Sequence, residues 1–281
     1  MFINKLLPYL QLARLHRPVP ILLLLWPCFL GLALSKGNLF DYCLFLLGTV
    51  AMRSAGCIIN DIADQDFDRQ VTRTKTRPLA ARIITINHAL LEVAFFLSVG
   101  FIVWIFLGQT AKYHALVGAI LMVIYPFLKR LTNWPQLFLG FTFNYGLIVA
   151  ITHAGTFSRH YISLFFALVI WTIFYDTIYA FADIEDDKET GIKSTAIVMQ
   201  NSPKIWLTAC NILMHGILFV FLKTFGSLCL IPISIGFIYL QILLIKWQIA
   251  EIKSCLKTFG NCHFWGLGLW LWIELIRIIS P

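Results

Sequence analysis

Asn60-Asp61-Ile62-Ala63-Asp64-Gln65-Asp66-Phe67-Asp68, trailed by Arg69, Arg73, Lys75 and Arg77, sets four carboxylates beside four cations at the end of a long apolar segment. On a helix Asn60 and Asp64 lie four apart, and Asp61, Asp64 and Asp68 follow at three and four, so they share a face. Carboxylates spaced this way repel one another, and at a helix C-terminus the macrodipole disfavours each by about 0.3–1 kcal/mol. Near hydrocarbon the cost of an ionised side chain rises to about 2.5–3.5 kcal/mol. A divalent cation with a polyanion on its far side is the simple compensation. All-oxygen ligands favour Mg²⁺, and a diphosphate is the polyanion that suits it.

Outward from this stretch the chain is apolar. It has 281 residues, of which 59% are hydrophobic and only 13% charged, with a net charge of +8. Such a chain cannot bury all its apolar segments in one water-soluble core, so it reads as an integral membrane protein. The cations lie between the apolar runs, which excludes a nucleic-acid-binding reading of the charge. The seven cysteines occur singly, without metal-ligand or disulfide-framework spacing. Residues 1–16 form an interfacial amphipathic segment that runs into the first span without a cleavage site, so neither a removed signal nor a transit peptide is expected. The expected localisation is a bacterial inner membrane, with a mitochondrial one as the alternative.

By length, nine spans are expected, at roughly 19–35, 41–60, 88–108, 112–128, 136–153, 161–182, 204–222, 227–246 and 262–279. With the N-terminus cytoplasmic, most of the 22 Lys and Arg residues fall on the inner side, which predicts N-in, C-out. The whole chain, 1–281, reads as a single all-α polytopic domain.

A second acidic group, Asp176, Asp183, Glu185, Asp186, Asp187 and Glu189, ends the sixth span as the first ends the second. Under the expected topology both face the cytoplasm and can face one cavity. Acidic groups at span ends are often only solvated loops. Here two clusters, each followed by cations, hold ten of the 14 acidic residues, which favours a built site. Asp183 and Asp187 are four apart on a continued helix, and Asp176 precedes them by about two turns. Two Mg²⁺ ions could sit across a diphosphate between the clusters. Arg73, Arg77 and Lys193 would neutralise the charge that grows on a leaving diphosphate. Arg53, seven residues before Asn60 and deeper in the membrane, either pairs with a carboxylate of the first cluster or contacts a substrate anion.

MRSAGCIINDIADQDFDRQVTRTKTRPLA (52–80), YPFLKR (125–130), PQLFLGFTFNYG (135–146) and FYDTIYAFADIEDDKETGIKSTAI (174–197) resemble the UbiA family of membrane prenyltransferases, in particular its members that act on 4-hydroxybenzoate. The first stretch is similar to the family's NDxxDxxxD motif and the last to its DxxxD motif. The resemblance implies nine transmembrane helices around a central cavity that opens to lipid, with a cytoplasmic cap. It implies Mg²⁺-dependent transfer of a polyprenyl group from polyprenyl diphosphate to the ring carbon ortho to the hydroxyl of 4-hydroxybenzoate, in ubiquinone biosynthesis. Carried over, Asn60, Asp61, Asp64, Asp68, Asp183 and Asp187 bind metal and diphosphate, the five aspartates being the catalytic set. Arg73, Arg77 and Lys193 meet the phosphates, Asp176 and Tyr179 line the acceptor's end of the cavity, and Arg53 and Arg130 are candidates for its carboxylate. One departure is local: RPLAARII (77–84) stands where the family usually has a Pro-Ser/Ala-Gly turn, which bears on the geometry of the cap. The competing readings are a family member with another acceptor, such as haem, a naphthoate or homogentisate, and a membrane cation or anion transporter.

Overall fold

The computed structural model describes residues 2–128, 131–226, 228 and 230–279, with side chains from Leu6 onward. Among the described residues all regular structure is helical. In chain order the helices are α1 (Phe2–Leu12), α2 (Val19–Leu34), α3 (Leu39–Ala63), α4 (Gln65–Asp68), α5 (Ile86–Phe106), α6 (Gln109–Leu128), α7 (Pro135–Ala154), α8 (His160–Ala180), α9 (Ile184–Thr190), α10 (Thr195–Met199), α11 (Pro203–Leu222), α12 (Leu230–Lys246), α13 (Ile252–Asn261) and α14 (His263–Ile279).

Among the described residues seven helical segments are long and apolar enough to cross a membrane; α2 and α12, with 16 and 17 residues, are shorter apolar helices. The nine expected spans therefore fall on seven long segments and two short ones. The last expected span, 262–279, is one part of a longer segment that begins at Ile252. Its first part, α13, was not expected as a helix. It is amphipathic, burying Cys255 and Thr258 while Lys253 stays exposed, and is too short to register as a span.

Local chemistry sets the helix ends. Asn38 and Asp41 form a reciprocal capping box at the start of α3, Thr85 caps α5, and Pro135 and Pro203 sit in the first turns of α7 and α11. The main core lies where α2, α7, α8, α11 and α14 meet. Small residues bring these helices close: a Cβ on Gly31 would lie 2.7 Å from Ala150 Cβ, and one on Gly140 would lie 2.9 Å from Val169 Cγ1. Asn144 Nδ2 ties α7 to α8 by donating to Leu168 O at 3.1 Å and to Thr172 Oγ1 at 2.8 Å. Large apolar side chains on α5, α6 and α12 remain exposed, as on faces that meet lipid.

The two acidic stretches lie at one end of the bundle. Asp64 separates α3 from α4, and its backbone N–H still donates to Asn60 O at 2.9 Å, so the helical spacing of Asn60, Asp61, Asp64 and Asp68 is nearly kept. The second stretch continues α8 less smoothly than expected, through a 3₁₀ turn at Phe181–Asp183 before α9. Gly191, at φ 72°, ends α9 in the left-handed region that glycine tolerates. Arg82 also sits there, at φ 59°, in the turn where the departure from the family pattern was noted. A non-glycine residue in that region carries roughly 1–2 kcal/mol of strain. Allowing for the extra chain entropy of glycine, Arg82→Gly is expected to stabilise the protein by roughly 0.5–1 kcal/mol. The check is the thermal midpoint in detergent; a lowered midpoint contradicts the strain argument.

Candidate active site

The first acidic stretch is held by arginines from two directions. Asp61 is 3% exposed, and Arg14 Nη2 donates to both of its oxygens, at 2.8 and 2.7 Å. Arg77 Nη1 donates to Asp61 Oδ1 at 3.1 Å and to Asp68 Oδ2 at 2.7 Å, bridging the two carboxylates. Burial pushes the Asp68 carboxyl above the usual aspartate range, against the pull of Arg77. Burial also works against the charge on Arg77, but Asp61 and Asp68 outweigh it and hold the guanidinium more firmly protonated than usual.

Arg14 was not singled out from the sequence. It follows α1 in a left-handed conformation, φ 58°, and its Nη1 donates to Gln11 O at 2.8 Å, closing the end of that helix. It stands 47 residues from Asp61 in a segment where cations are expected at a membrane surface anyway. The one signal is its place just before the first span, and that does not distinguish it from Arg17.

Arg73 joins the first stretch to the second. Its Nε donates to Asp183 Oδ1 at 2.5 Å, its Nη2 meets Asp183 Oδ2, and its Nη1 donates to Tyr179 Oη at 2.9 Å. The guanidinium also lies 5.0 Å from the centre of the Tyr179 ring. One residue earlier, the Thr72 N–H donates to Asp186 Oδ2 at 3.1 Å. The structure thus brings together two clusters more than 100 residues apart in the chain. Burial disfavours the charge on Arg73, and Tyr179 and Asp183 more than offset this, so it too is held firmly protonated.

A cavity of about 680 Å³ opens on this array, walled by Arg14, Asn60, Asp61, Arg73 and Arg77. Asp176 and Tyr179 also line it. At its inner end Arg53, Gly56, Met122, Thr142 and Phe143 form a neck, shared with an apolar groove of about 480 Å³. Arg53 sits there with its guanidinium 5.4 Å from the centre of the Phe143 ring and its Nε buried without a hydrogen-bond partner. It joins none of the ion pairs among the described residues, so of the two roles expected of it, pairing with a carboxylate of the first stretch is not the one observed. Asp64 and Asp187 are half-buried, and neither they nor Asp68 and Asp183 line the cavity themselves. Lys193 is exposed, donates to Leu131 O at 3.5 Å and does not line the cavity. Arg130 lies outside the described residues.

Among the described residues no three His, Cys, Asp or Glu side chains come close enough to form a metal cage alone. Asp61, Asp68 and Asp183 are each neutralised by an arginine instead. This donor set fits Mg²⁺, which commonly uses one or two carboxylates and completes its shell with water and substrate phosphate oxygens. Arginines released from the carboxylates would find a second anion in that phosphate.

Residues 24–268 match the model of the UbiA prenyltransferase family. The chain is 37% identical to the 4-hydroxybenzoate octaprenyltransferase of Francisella tularensis subsp. tularensis (strain FSC 198), over 98% of this chain and 99% of that one. It is 38% identical to the enzyme of the same name from Shewanella halifaxensis (strain HAW-EB4), over 99% of both. Its fold is similar to that of a UbiA homologue from Archaeoglobus fulgidus bound to GPP and Mg²⁺, with a TM-score of 0.74 at 18% identity over 95% of this chain and 99% of that one. A UbiA homologue from Aeropyrum pernix K1 is also similar, with a TM-score of 0.72 at 21% identity over 94% and 98%.

Proposed function

The chain belongs to the UbiA prenyltransferase family, and from that premise we propose that it transfers a polyprenyl group from polyprenyl diphosphate to the ring carbon ortho to the hydroxyl of 4-hydroxybenzoate. The observation that carries this reading is one chamber lined by Arg14, Arg73 and Arg77, whose partners Asp61, Asp68 and Asp183 come from both acidic stretches, bordered along five shared residues by an apolar groove. A molecule with a diphosphate head and a hydrocarbon tail matches that pair of spaces.

Arg14, Arg73 and Arg77 bind the diphosphate, and Asn60, Asp61, Asp64 and Asp68 face Asp183 and Asp187 across it. Mg²⁺ held between these oxygens would supply the electrophilic pull on the leaving group. As the allylic C–O bond breaks, its electron pair stays with the diphosphate, where the arginines stabilise the growing charge. The apolar groove holds the prenyl chain and places its first carbon at the neck. Arg53 anchors the acceptor's carboxylate there, and Asp176 and Tyr179 flank the ring. The ring carbon ortho to the hydroxyl forms the new C–C bond and then loses its proton to a nearby carboxylate, as general-base chemistry requires. The acidic end faces the cytoplasm, and the membrane is a bacterial inner membrane.

Isolated membranes supplied with polyprenyl diphosphate and, in turn, 4-hydroxybenzoate, a naphthoate or homogentisate test the acceptor. Preference for 4-hydroxybenzoate is expected, and preference for another acceptor overturns that assignment. Arg53→Leu should raise KM for 4-hydroxybenzoate about 10- to 100-fold, as loss of a charge-assisted hydrogen bond implies, with a smaller effect on KM for the diphosphate.

A further inference from the structure

Among the described residues that wall the chamber, two keep a buried polar atom without a hydrogen-bond partner: Arg53, at its Nε, and Tyr175, at its Oη. Tyr175 is 1% exposed and sits on α8 one turn, about 6 Å, further in than Tyr179. The two hydroxyls differ in what they meet. That of Tyr179 is taken by Arg73 Nη1 at 2.9 Å and so belongs to the diphosphate array. That of Tyr175 meets no such donor, and the Thr172 hydroxyl, three residues further in, is already engaged. It donates to Leu168 O at 3.2 Å and accepts from Asn144 Nδ2 at 2.8 Å. The Tyr175 ring is fixed all the same, edge-on to Trp171 with ring centres 5.1 Å apart and edge-on to Phe259 at 5.8 Å. A hydroxyl held rigidly by its ring, sealed from water and left unpaired, costs the fold stability. A group that enters the chamber at that depth is the partner on offer.

Arg53 stands about two turns inward of Asn60 on α3, and Tyr175 about two turns inward of Asp183, so both unpaired atoms lie beyond the diphosphate array. Resting on the prenyl-transfer reading above, we propose that Tyr175 recognises the acceptor's hydroxyl. Its Oη accepts a hydrogen bond from that O–H, while Arg53 donates to the carboxylate at the opposite end of the ring. One small aromatic molecule with these two groups in para positions then satisfies both unpaired atoms at once. The contact also acts on the reaction. As the ortho carbon bonds to the allylic carbon, positive charge spreads onto the hydroxyl oxygen and its proton becomes more acidic, so the hydrogen bond to Tyr175 strengthens towards the transition state. The ring proton still leaves to a carboxylate, and Tyr175 binds and orients without taking it.

Tyr175→Phe keeps the ring and removes only the hydroxyl. Benzoate, which keeps the carboxylate and lacks the hydroxyl, is the matching ligand. Purified native protein in detergent should bind 4-hydroxybenzoate about 3- to 10-fold more tightly than benzoate, the ordinary worth of one hydrogen bond, and the variant should bind the two alike. In membranes the variant should raise KM for 4-hydroxybenzoate by about the same factor and lower kcat about as much again, with KM for polyprenyl diphosphate within about twofold of native. Without ligand the variant should melt at or above the native midpoint, because an unpaired buried hydroxyl has been removed, whereas a hydroxyl that served only the fold would give the opposite sign. An undiminished preference for 4-hydroxybenzoate over benzoate in the variant, or a lowered midpoint with native KM for the acceptor, overturns the assignment. If native membranes transfer no prenyl group to any acceptor, the prenyl-transfer reading itself falls, and the comparison of 4-hydroxybenzoate with benzoate still decides whether Tyr175 meets a phenolic hydroxyl.

Discussion

Asp61→Asn is expected to lower kcat for prenyl transfer by about 10²–10³, the cost of losing a preorganised charge partner in such a site. It is also expected to destabilise the protein by about 3–5 kcal/mol, the usual consequence of breaking a buried ion pair on one side. The reason is specific to this residue. Asp61 is 3% exposed and takes hydrogen bonds from Arg14 and Arg77, so an uncharged amide of the same shape leaves two guanidinium groups facing each other over a neutral side chain. Turnover in membranes and the thermal midpoint in detergent are the two readings. A variant within twofold of native in kcat contradicts the placement of Asp61 at the centre of the array.

Arg73→Met carries the second large effect, a loss of about 10² in kcat. The side chain spans both halves of the site, with Asp183 on its Nε and Nη2 and the Tyr179 hydroxyl on its Nη1. Methionine keeps an apolar stem of similar reach but leaves Asp183 without its cation. Arg73→Lys should recover little, because a single ammonium cannot reproduce the two-pronged contact with one carboxylate and the third bond to Tyr179. Full rescue by lysine would show that charge alone is needed and that the fork geometry is incidental. Measuring KM for the diphosphate alongside kcat separates weaker binding from weaker stabilisation of the leaving group.

The acidic stretches were legible because ionised groups are costly beside hydrocarbon. In a chain with only 13% charged residues, ten of the 14 acidic ones grouped at two span ends stand out against the apolar background. Helical spacing also placed Asn60, Asp61, Asp64 and Asp68 together, and the helices that carry them nearly preserve it. Arg14 was not legible, since its partner is distant in sequence and its own neighbourhood is that of any interfacial cation. Lys193 is the converse case, near the second stretch in sequence but not along the cavity. It is six residues from Asp187, yet the left-handed turn at Gly191 intervenes and its ammonium reaches the Leu131 carbonyl. The groove needed the assembled bundle, because its walls come from five helices, α2, α3, α5, α6 and α7. Helix α13 escaped because ten residues interrupted by Lys253 and Lys257 carry no span signal, although their buried face follows the helical period.

The most direct test of the account is prenyl transfer in isolated membranes from polyprenyl diphosphate to 4-hydroxybenzoate, with Mg²⁺ and with EDTA, for the native protein, Asp64→Ala and Asp187→Ala. The account predicts prenylated hydroxybenzoate from the native protein with Mg²⁺, and its loss with EDTA and in each variant, since both acidic stretches act on one diphosphate. Undiminished product from either variant, or product that persists in EDTA, would contradict the single shared site.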